Sequence, residues 1–180
     1  MILYHGTTSK IGVIDLNKCR LRTDFGRGFY MTDKLGTARD WAIGKPSINI
    51  RVPTVIRYKI NEALFADKAV KILKFDEPSK EWLDFVKDNR RNDKSDSSLN
   101  EPRHCYDIVS GPIANDKVFD VVLEYCNNLI TAEEAIPRLK ALPSVIQISF
   151  HTTLALSYIL SASVSQRENK KWTAWESTDI

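Results

Sequence analysis

The sequence predicts an α+β fold in a single domain, and three observations lead to this prediction. Short apolar, β-prone segments occur near the start, the middle and the end of the chain, at 1–4, 54–60 and 145–150. Segments with helical spacing of apolar residues and recognisable caps lie between them. The length of 180 residues and the hydrophobic content of 43% suit one domain with its own core. We expect this domain to span 1–165, with a polar C-terminal tail at 166–180.

The first predicted strand leads directly to a histidine. Residues 1–4 are apolar, so a buried strand can place His5 at its end. Gly6 gives the backbone room for a close approach, and Thr7 adds a hydroxyl group. This short stretch therefore combines an imidazole, a permissive backbone and a hydrogen-bonding side chain.

The second predicted strand repeats this arrangement with an aromatic ring. Gly26 and Gly28 mark a turn, which is followed by the short strand 29–31. Alternation along that strand sends Tyr30 to the face opposite its two neighbours. Thr32 follows the strand directly.

The middle of the chain predicts a helix, a strand, a second helix and a loop. Thr37 is expected to cap a short helix, and 54–60 alternates as a strand does. Residues 78–90 read as an amphipathic surface helix. The charged and polar residues at about 91–103 lack an apolar period, so we expect an exposed, mobile loop there, which could also contact substrate.

The last third predicts strands and capped helices. Residues 105–112 form a strand that ends at Gly-Pro, and 145–150 read as a second, buried strand. A capping box formed by Thr131 and Glu134 predicts a helix that starts there and ends before Pro143. Thr152 is expected to cap a final helix through residue 160.

The charge of the chain is unevenly distributed. Residues 1–60 hold eleven Lys and Arg against four Asp, although the whole chain has a net charge of only +3. Lys18, Arg20 and Arg22 alternate just before the glycine-rich turn. This face either attracts the phosphates of a dinucleotide or nucleic acid, or is an ordinary solvated loop.

The cysteines and the start of the chain bear on location. Cys19, Cys105 and Cys126 are odd in number and widely spaced, so we expect free thiols in a reducing cytoplasm. We see no metal-ligand spacing, and we expect neither a signal peptide nor a membrane span.

Two motifs carry a family resemblance. Tyr4-His5-Gly6-Thr7 and the later Gly26-Arg27-Gly28-Phe29-Tyr30-Met31-Thr32 resemble the ADP-ribosyltransferase superfamily, in its diphtheria-toxin-like and PARP-like branch. More closely, roughly residues 1–160 resemble the bacterial DUF3990 family. Further blocks support this match at Ala38 to Ala42, Asp107 to Asp116 and Gln147 to Thr152.

The resemblance implies a fold and a set of site residues. The fold would be two split, mixed β-sheets that form an NAD cleft, flanked by helices. His5 would bind a ribose hydroxyl, the Gly6 backbone would hold the nicotinamide carboxamide, and Tyr30 would stack on the nicotinamide ring. The remaining cofactor-binding candidates are Thr7, Arg27, Gly28 and Thr32, with Arg27 directed at the pyrophosphate.

The third catalytic position departs from the superfamily pattern. The superfamily carries a Glu on a late strand, and the matching residue here is Gln147. An amide binds a ribose hydroxyl but cannot stabilise developing positive charge as a carboxylate does. Gln147 is therefore either a weakened catalytic residue or simply a polar residue at a strand edge.

Four further residues are substrate candidates with structural alternatives. Asp107, Asn115 and Asp116 would lie near the cleft, or they satisfy a turn and a helix cap. His151 would contact substrate, or it is a structural residue beside a cap. No role is implied for His104.

Three functional hypotheses follow. The first is a mono-ADP-ribosyltransferase that uses NAD⁺ to modify a protein or nucleic acid. One setting for this activity is as the toxin of a toxin–antitoxin or anti-phage system, with a cognate antitoxin as partner. The second is an NAD-binding or nucleic-acid-binding module without catalysis. The third is an interaction protein that docks through Trp172 and Trp175.

Overall fold

The computed structural model describes residues 1–9, 12–44, 52–90, 104–113, 116–142 and 145–179. These residues form an α+β fold, as predicted. The strands are β1 (Ile2–Thr7), β2 (Phe29–Met31), β3 (Thr54–Ile60), β4 (Ile72–Lys74), β5 (Ile108–Pro112), β6 (Ile146–Phe150), β7 (Ile159–Glu168), β8 (Lys171–Trp172) and β9 (Glu176–Thr178). The helices are α1 (Leu35–Gly44), α2 (Lys80–Arg90), α3 (Asp116–Cys126), α4 (Ala132–Lys140) and α5 (Thr153–Leu156).

The strands form two sheets. The first sheet has the order β1-β3-β7-β8, with β9 also paired to β7, and the pairings described in it are antiparallel. The second sheet has the order β2-β6-β5-β4 and is mixed, because β4 runs parallel to β5. The first sheet is thus antiparallel where a mixed sheet was expected.

A backbone bridge joins the edges of the two sheets. Tyr4 of β1 and Thr32, which follows β2, exchange two hydrogen bonds of 2.8 and 2.9 Å. Thr7 pairs with Thr54 in the first sheet, whereas Phe29 pairs with Phe150 in the second. Beyond the bridge, β1 and β2 therefore belong to different sheets and separate.

Three apolar clusters hold the layers together. The first lies between the sheets and includes Leu3, Ile56 and Phe150. The second packs α2, α3 and α4 against the other face of the second sheet, with Trp82 fully buried in it. The third packs α1 on the outer face of the first sheet through Ala38 and other small residues. The order of layers is helix, sheet, sheet, helices.

Several predicted elements are confirmed. The capping box is present, with Thr131 Oγ1 accepting from Glu134 N and Glu134 Oε2 accepting from Thr131 N. The predicted strand 145–150 is β6, and the predicted helix 78–90 is α2. Thr152 Oγ1 caps α5 by accepting from the N–H of Ala155.

Two helix predictions were wrong at their ends. Thr37 lies inside α1, which begins at Leu35, so it is not the cap. The helix after Thr152 ends at Leu156, and the chain turns into β7 instead of continuing to residue 160. The small residues of β7 alternate across a strand that is paired on both sides, to β3 and β9.

The C-terminal segment is part of the first sheet. β7 and β8 form a hairpin whose two turn residues, Asn169 and Lys170, both have positive φ, as a type I′ turn requires. The Trp172 ring lies 5.1 Å from the Arg39 guanidinium, and Trp175 lies 4.6 Å from that of Arg57. Both tryptophans are half-buried and pack against arginine side chains of the same chain. The loop predicted at 91–103 lies outside the described residues.

Candidate functional site

A cavity of about 630 Å³ opens beside the place where β1 and β2 separate. Its walls come from β1, from β2 with the glycine before it, and from the segment between these strands. The lining residues are His5, Ser9, Gly12, Val13, Ile14, Asp15, Lys18, Cys19, Arg20, Thr23, Gly28, Phe29 and Tyr30. Sequence and structure thus agree in bringing His5, Gly28 and Tyr30 to one place.

A hydrogen bond and a ring contact orient His5. Its Nδ1 lies 2.7 Å from the backbone oxygen of Tyr30, and its ring stacks on Phe29 with 4.5 Å between centroids. A hydrogen bond to a carbonyl requires a proton on Nδ1, so in the neutral ring Nε2 is the acceptor. The imidazole on β1 of the first sheet is therefore oriented by a hydrogen bond to β2 of the second sheet.

Gly6 is required by packing. A Cβ at this position would lie 2.0 Å from the backbone oxygen of Ala38 and 3.0 Å from the backbone nitrogen of Ala42, so α1 approaches β1 as closely as glycine allows. Backbone groups alternate in direction along a strand, and those of Tyr4 point to Thr32. The Gly6 N–H and C=O share that direction, toward the side where β2 departs.

Tyr30 is held by a tight turn of the preceding chain. Its hydroxyl accepts from the N–H of Phe25 at 2.9 Å, donates to the carbonyl of Gly26 at 2.8 Å, and lies 2.8 Å from the Thr23 hydroxyl. Gly26 has φ of 78°, which favours glycine. Burial raises the pKa of Tyr30, and hydrogen bonds from Thr23, Phe25 and Ser149 offset only part of that rise. The ring lines the cavity as a neutral phenol.

His151 is buried behind the cavity wall. Its Nδ1 lies 2.7 Å from the backbone oxygen of Arg27, and its Nε2 lies 2.8 Å from the Ser149 hydroxyl. A Cβ on Gly28 would meet the ring at 2.6 Å, so this glycine makes room for the histidine. The pKa of His151 is lowered to about 4, mainly by burial and to a smaller extent by the nearby His104, against opposing contributions from the Arg27 backbone and Asp107. The buried ring is therefore neutral near pH 7.

Gln147 does not line the cavity. It is 5% exposed, and its Nε2 donates to Asp24 Oδ2 at 2.6 Å and lies 3.4 Å from the Pro112 oxygen. Asp24 in turn accepts from Arg90 Nε at 2.8 Å and forms an ion pair with it. The amide thus belongs to a buried polar network with Asp24 and Arg90.

The substrate candidates other than His151 are Asp107, Asn115 and Asp116, and the contacts of Asp107 are structural. Asp107 accepts from the N–H of Lys71 at 2.8 Å and from the Thr152 hydroxyl at 2.6 Å, so it joins the start of β4 to the cap of α5. Asp116 is the first residue of α3. Asn115 lies outside the described residues.

The remaining cofactor candidates, Thr7, Arg27 and Thr32, are not among the described residues that line the cavity. Thr7 Oγ1 accepts from the N–H of Ser9 at 3.0 Å, and Thr32 Oγ1 accepts from the N–H of Lys34 at 3.2 Å. Both hydroxyls therefore stabilise turns. Arg27 is half-buried, and its charge acts on the thiol of Cys19, which lines the cavity.

The charged groups of the cavity lie on the segment between β1 and β2. Lys18 and Arg20 are exposed and line it, and Asp15 is the one acidic residue among its described lining residues. Asp15 accepts from the N–H of Asn17 at 2.9 Å and lies 3.3 Å from Lys18 Nζ. Burial raises the pKa of Cys19, and the charge of Arg27 opposes that shift.

Sequence reasoning missed Asp24, Ser149 and the role of Arg90. One pattern pointed to Ser149: Gln147, Ser149 and His151 are buried polar residues at every second position of β6 and the residue after it. Polar residues at every second position of a buried strand require polar partners on that face. The pattern does not reveal which distant residues supply them.

Two observations concern the described residues alone. They contain no group of three or more His, Cys, Asp or Glu side chains placed to hold a metal ion. None of the helices in the described ranges has the length and apolar character needed to cross a bilayer.

Comparison with known proteins gives one result. No curated protein and no solved structure matches the chain. The model of the family DUF3990, described as a protein of unknown function, matches residues 1–160. The chain therefore belongs to the DUF3990 family.

Proposed function

We propose that this protein is an NAD⁺-dependent mono-ADP-ribosyltransferase whose active site is the cavity between β1 and β2. The observation that supports this most directly is the pairing of His5 and Tyr30. They come from strands of different sheets, line the same cavity and are joined by a 2.7 Å contact from His5 Nδ1 to the Tyr30 backbone oxygen.

The cavity suits a dinucleotide in its volume and in the side chains that line it. A volume of about 630 Å³ lies within the range of roughly 300–1,000 Å³ that is typical of small-molecule sites. Tyr30 offers an aromatic face for the nicotinamide ring. Lys18 and Arg20 are exposed cations at the same cavity, where a pyrophosphate would be attracted.

The proposed reaction breaks the bond between nicotinamide and ribose C1′. Nicotinamide leaves as a neutral amide, and a nucleophilic atom of the acceptor forms the new bond to C1′ and loses its proton. His5 Nε2 would accept a hydrogen bond from a ribose hydroxyl, and the Gly6 backbone would bind the carboxamide. These residues bind and orient the dinucleotide, and proximity of this kind contributes much of an enzyme's rate enhancement.

A second candidate function is NAD binding without transfer, and the position of Gln147 favours it. The superfamily places a carboxylate at this step, but Gln147 donates to Asp24 at 2.6 Å and lies outside the cavity lining. Removing a charge that stabilises a transition state costs on the order of 3 kcal/mol, or roughly a hundredfold in rate. Slow or absent turnover with intact binding would follow.

The acceptor is proposed as a macromolecule, either a protein side chain or a nucleic acid. The segment beside the cavity carries exposed cations at every second position, Lys18, Arg20 and Arg22, which suits a phosphate backbone. In a toxin–antitoxin or anti-phage system of the cytoplasm, a cognate antitoxin that covers this segment would block both dinucleotide and acceptor.

The test is incubation with labelled NAD⁺ and separate pools of protein, DNA and RNA. We expect label in one pool, and we expect His5→Ala and Tyr30→Ala to abolish it. Lys68→Ala, a change at an exposed residue before β4, is the control and should transfer label like the wild type.

Three outcomes separate the candidates. Transfer that depends on His5 and Tyr30 supports the transferase. A raised melting temperature with NAD⁺, without label transfer or nicotinamide release, supports the binding module. If NAD⁺ changes neither the melting temperature nor any product, both NAD-based functions are wrong.

A further inference from the structure

A buried polar network anchors the turn that holds Tyr30. Thr23 and Phe25, which contact the Tyr30 hydroxyl, lie on either side of Asp24 in sequence. The Gly26 N–H donates to the Thr23 carbonyl at 3.0 Å, which makes 23–26 a β-turn with Asp24 as its second residue. A displacement of Asp24 therefore moves Thr23 and Phe25, two of the residues that contact the hydroxyl.

Two distant elements hold Asp24 in place. Arg90, the last residue of α2, donates from Nε to Asp24 Oδ1 at 2.8 Å and also pairs through Nη2. Gln147 of β6 donates to the other carboxylate oxygen at 2.6 Å. Asp24 is 6% exposed and Gln147 is 5% exposed, so water contributes little to this network. Both carboxylate oxygens are bound, each by a different layer of the fold.

We infer that Gln147 and Arg90 are positioning residues that set the place of Tyr30 in the cavity by fixing Asp24. Gln147 then has a role other than that of a weakened catalytic carboxylate. For the catalytic readout below, this inference rests on the proposed function, whereas the structural readout does not depend on NAD⁺.

The charges explain why an amide occupies position 147. Asp24 forms an ion pair with Arg90, and the neutral Gln147 donates a hydrogen bond to the same carboxylate. A carboxylate at 147 would lie within hydrogen-bond distance of Asp24 without a proton to donate. Two carboxylates so close cannot both be ionised in a buried site, so one must bind a proton or the turn must move.

The experiment compares single and paired substitutions. Gln147→Glu places a second carboxylate beside Asp24, and Asp24→Asn leaves Arg90 without its counter-ion. The double variant Asp24→Asn with Gln147→Glu again has one amide and one carboxylate. Arg90→Lys is a milder variant that keeps the charge. Glu124→Gln, which removes the exposed ion pair with Arg138, is the control.

The first readout is the ¹⁹F resonance of Tyr30 in protein that contains 3-fluorotyrosine, assigned by its absence in Tyr30→Phe. We expect it to shift in both single variants, less in Arg90→Lys, and to return toward its wild-type position in the double variant. The control should leave it in place. A Tyr30 resonance that stays in place in Gln147→Glu, or a double variant without recovery, would overturn the inference.

The second readout is NAD⁺ turnover. We expect Gln147→Glu to lower turnover by roughly ten- to a hundredfold, because misplacing a binding group by about 1 Å has effects of that size. A catalytic carboxylate restored at position 147 would instead raise turnover, and that result would contradict a positioning role. If the wild type neither binds nor converts NAD⁺, the proposed function fails, and the fluorine resonance alone decides the inference.

Discussion

His5 and His151 make the same contact in two different regions of the molecule. Each places Nδ1 at 2.7 Å from a backbone oxygen, that of Tyr30 for His5 and that of Arg27 for His151. His5 is half-buried and lines the cavity, whereas His151 is 7% exposed and has its Nε2 on Ser149. The first ring can therefore meet a ligand, and the second holds two strands together.

Each histidine has a glycine near it, and packing requires the two glycines for different reasons. Gly6, beside His5 in sequence, lets the α1 backbone approach β1, so its neighbour at 2.0 Å is the rigid Ala38 carbonyl. A Cβ at Gly28 would lie 2.6 Å from the His151 ring, so this glycine makes room for a side chain. The comparison shows that the residue type in a motif does not reveal whether a ligand or the fold requires it.

The largest expected effect is that of Gly6→Ala on stability. Because the clash is with helix backbone, we expect the free energy of unfolding to fall by at least about 3 kcal/mol, at the upper end for overpacking. Urea unfolding measures this. Gly36→Ala is the control, since no atom lies within 4 Å of its added Cβ, and it should change stability by less than about 1 kcal/mol. Equal midpoints for both variants would contradict the packing at Gly6.

The next effect is the pH dependence that His151 gives to stability. Its folded pKa of about 4 lies below the ordinary value of 6.5, so the unfolded chain binds more protons between these values. Stability should therefore fall as the pH drops from 6.5 toward 4, by up to about 3 kcal/mol. His104, whose pKa is lowered by burial, adds to this loss.

Unfolding at a series of pH values distinguishes the two histidine regions. His151→Gln should show a smaller loss of stability on acidification than the wild type, while His5→Gln should keep the loss. If the two variants show the same pH profile, the assignment of His151 as the neutral buried ring is wrong.

His5→Gln should affect function more than stability. We expect NAD⁺ turnover to fall about a hundredfold, which corresponds to roughly 2.7 kcal/mol. The free energy of unfolding should fall by only about 1 kcal/mol, the usual value of one hydrogen bond. Urea unfolding and nicotinamide release measured on the same sample test this split. A variant with wild-type turnover would remove His5 from the site.

Tyr30→Phe is expected to have the smallest effect. It removes the hydroxyl that contacts Phe25 and Gly26 but keeps the ring that lines the cavity. The free energy of unfolding should fall by about 1–2 kcal/mol, because backbone groups lose a partner. NAD⁺ affinity measured by calorimetry should fall less than in Tyr30→Ala, because the ring that would contact nicotinamide remains. An affinity loss as large as that of Tyr30→Ala would show that the hydroxyl, rather than the ring, binds the ligand.

Local sequence signals predicted the local parts of the fold. The capping box of Thr131 and Glu134 was predictable because both partners lie within four residues. β7 was missed at the end of a predicted helix, because its alternating small residues are specified by pairing with β3 and β9 rather than by their own propensity. The turn into β8 at Asn169 was equally unexpected.

The candidate site also has a part that local sequence signals predicted and a part that they did not. His5, Gly28 and Tyr30 are near in sequence to strand ends and turns, and they do line one cavity. The partner of Gln147 could not be predicted, because Asp24 is separated from it by 123 residues. Pairing over such distances depends on how the sheets and helices pack, which no short motif contains.

Protection of Cys19 from alkylation tests most directly whether the cavity binds NAD⁺. Cys19 is half-buried and lines the cavity, and Cys105 is exposed, so one protein carries both the probe and its reference. Iodoacetamide labelling at each cysteine is followed by mass spectrometry as NAD⁺ is added. The account predicts that NAD⁺ slows labelling of Cys19 but not of Cys105, and that His5→Gln requires more NAD⁺ for the same protection. Labelling of Cys19 at a rate independent of NAD⁺ would contradict it.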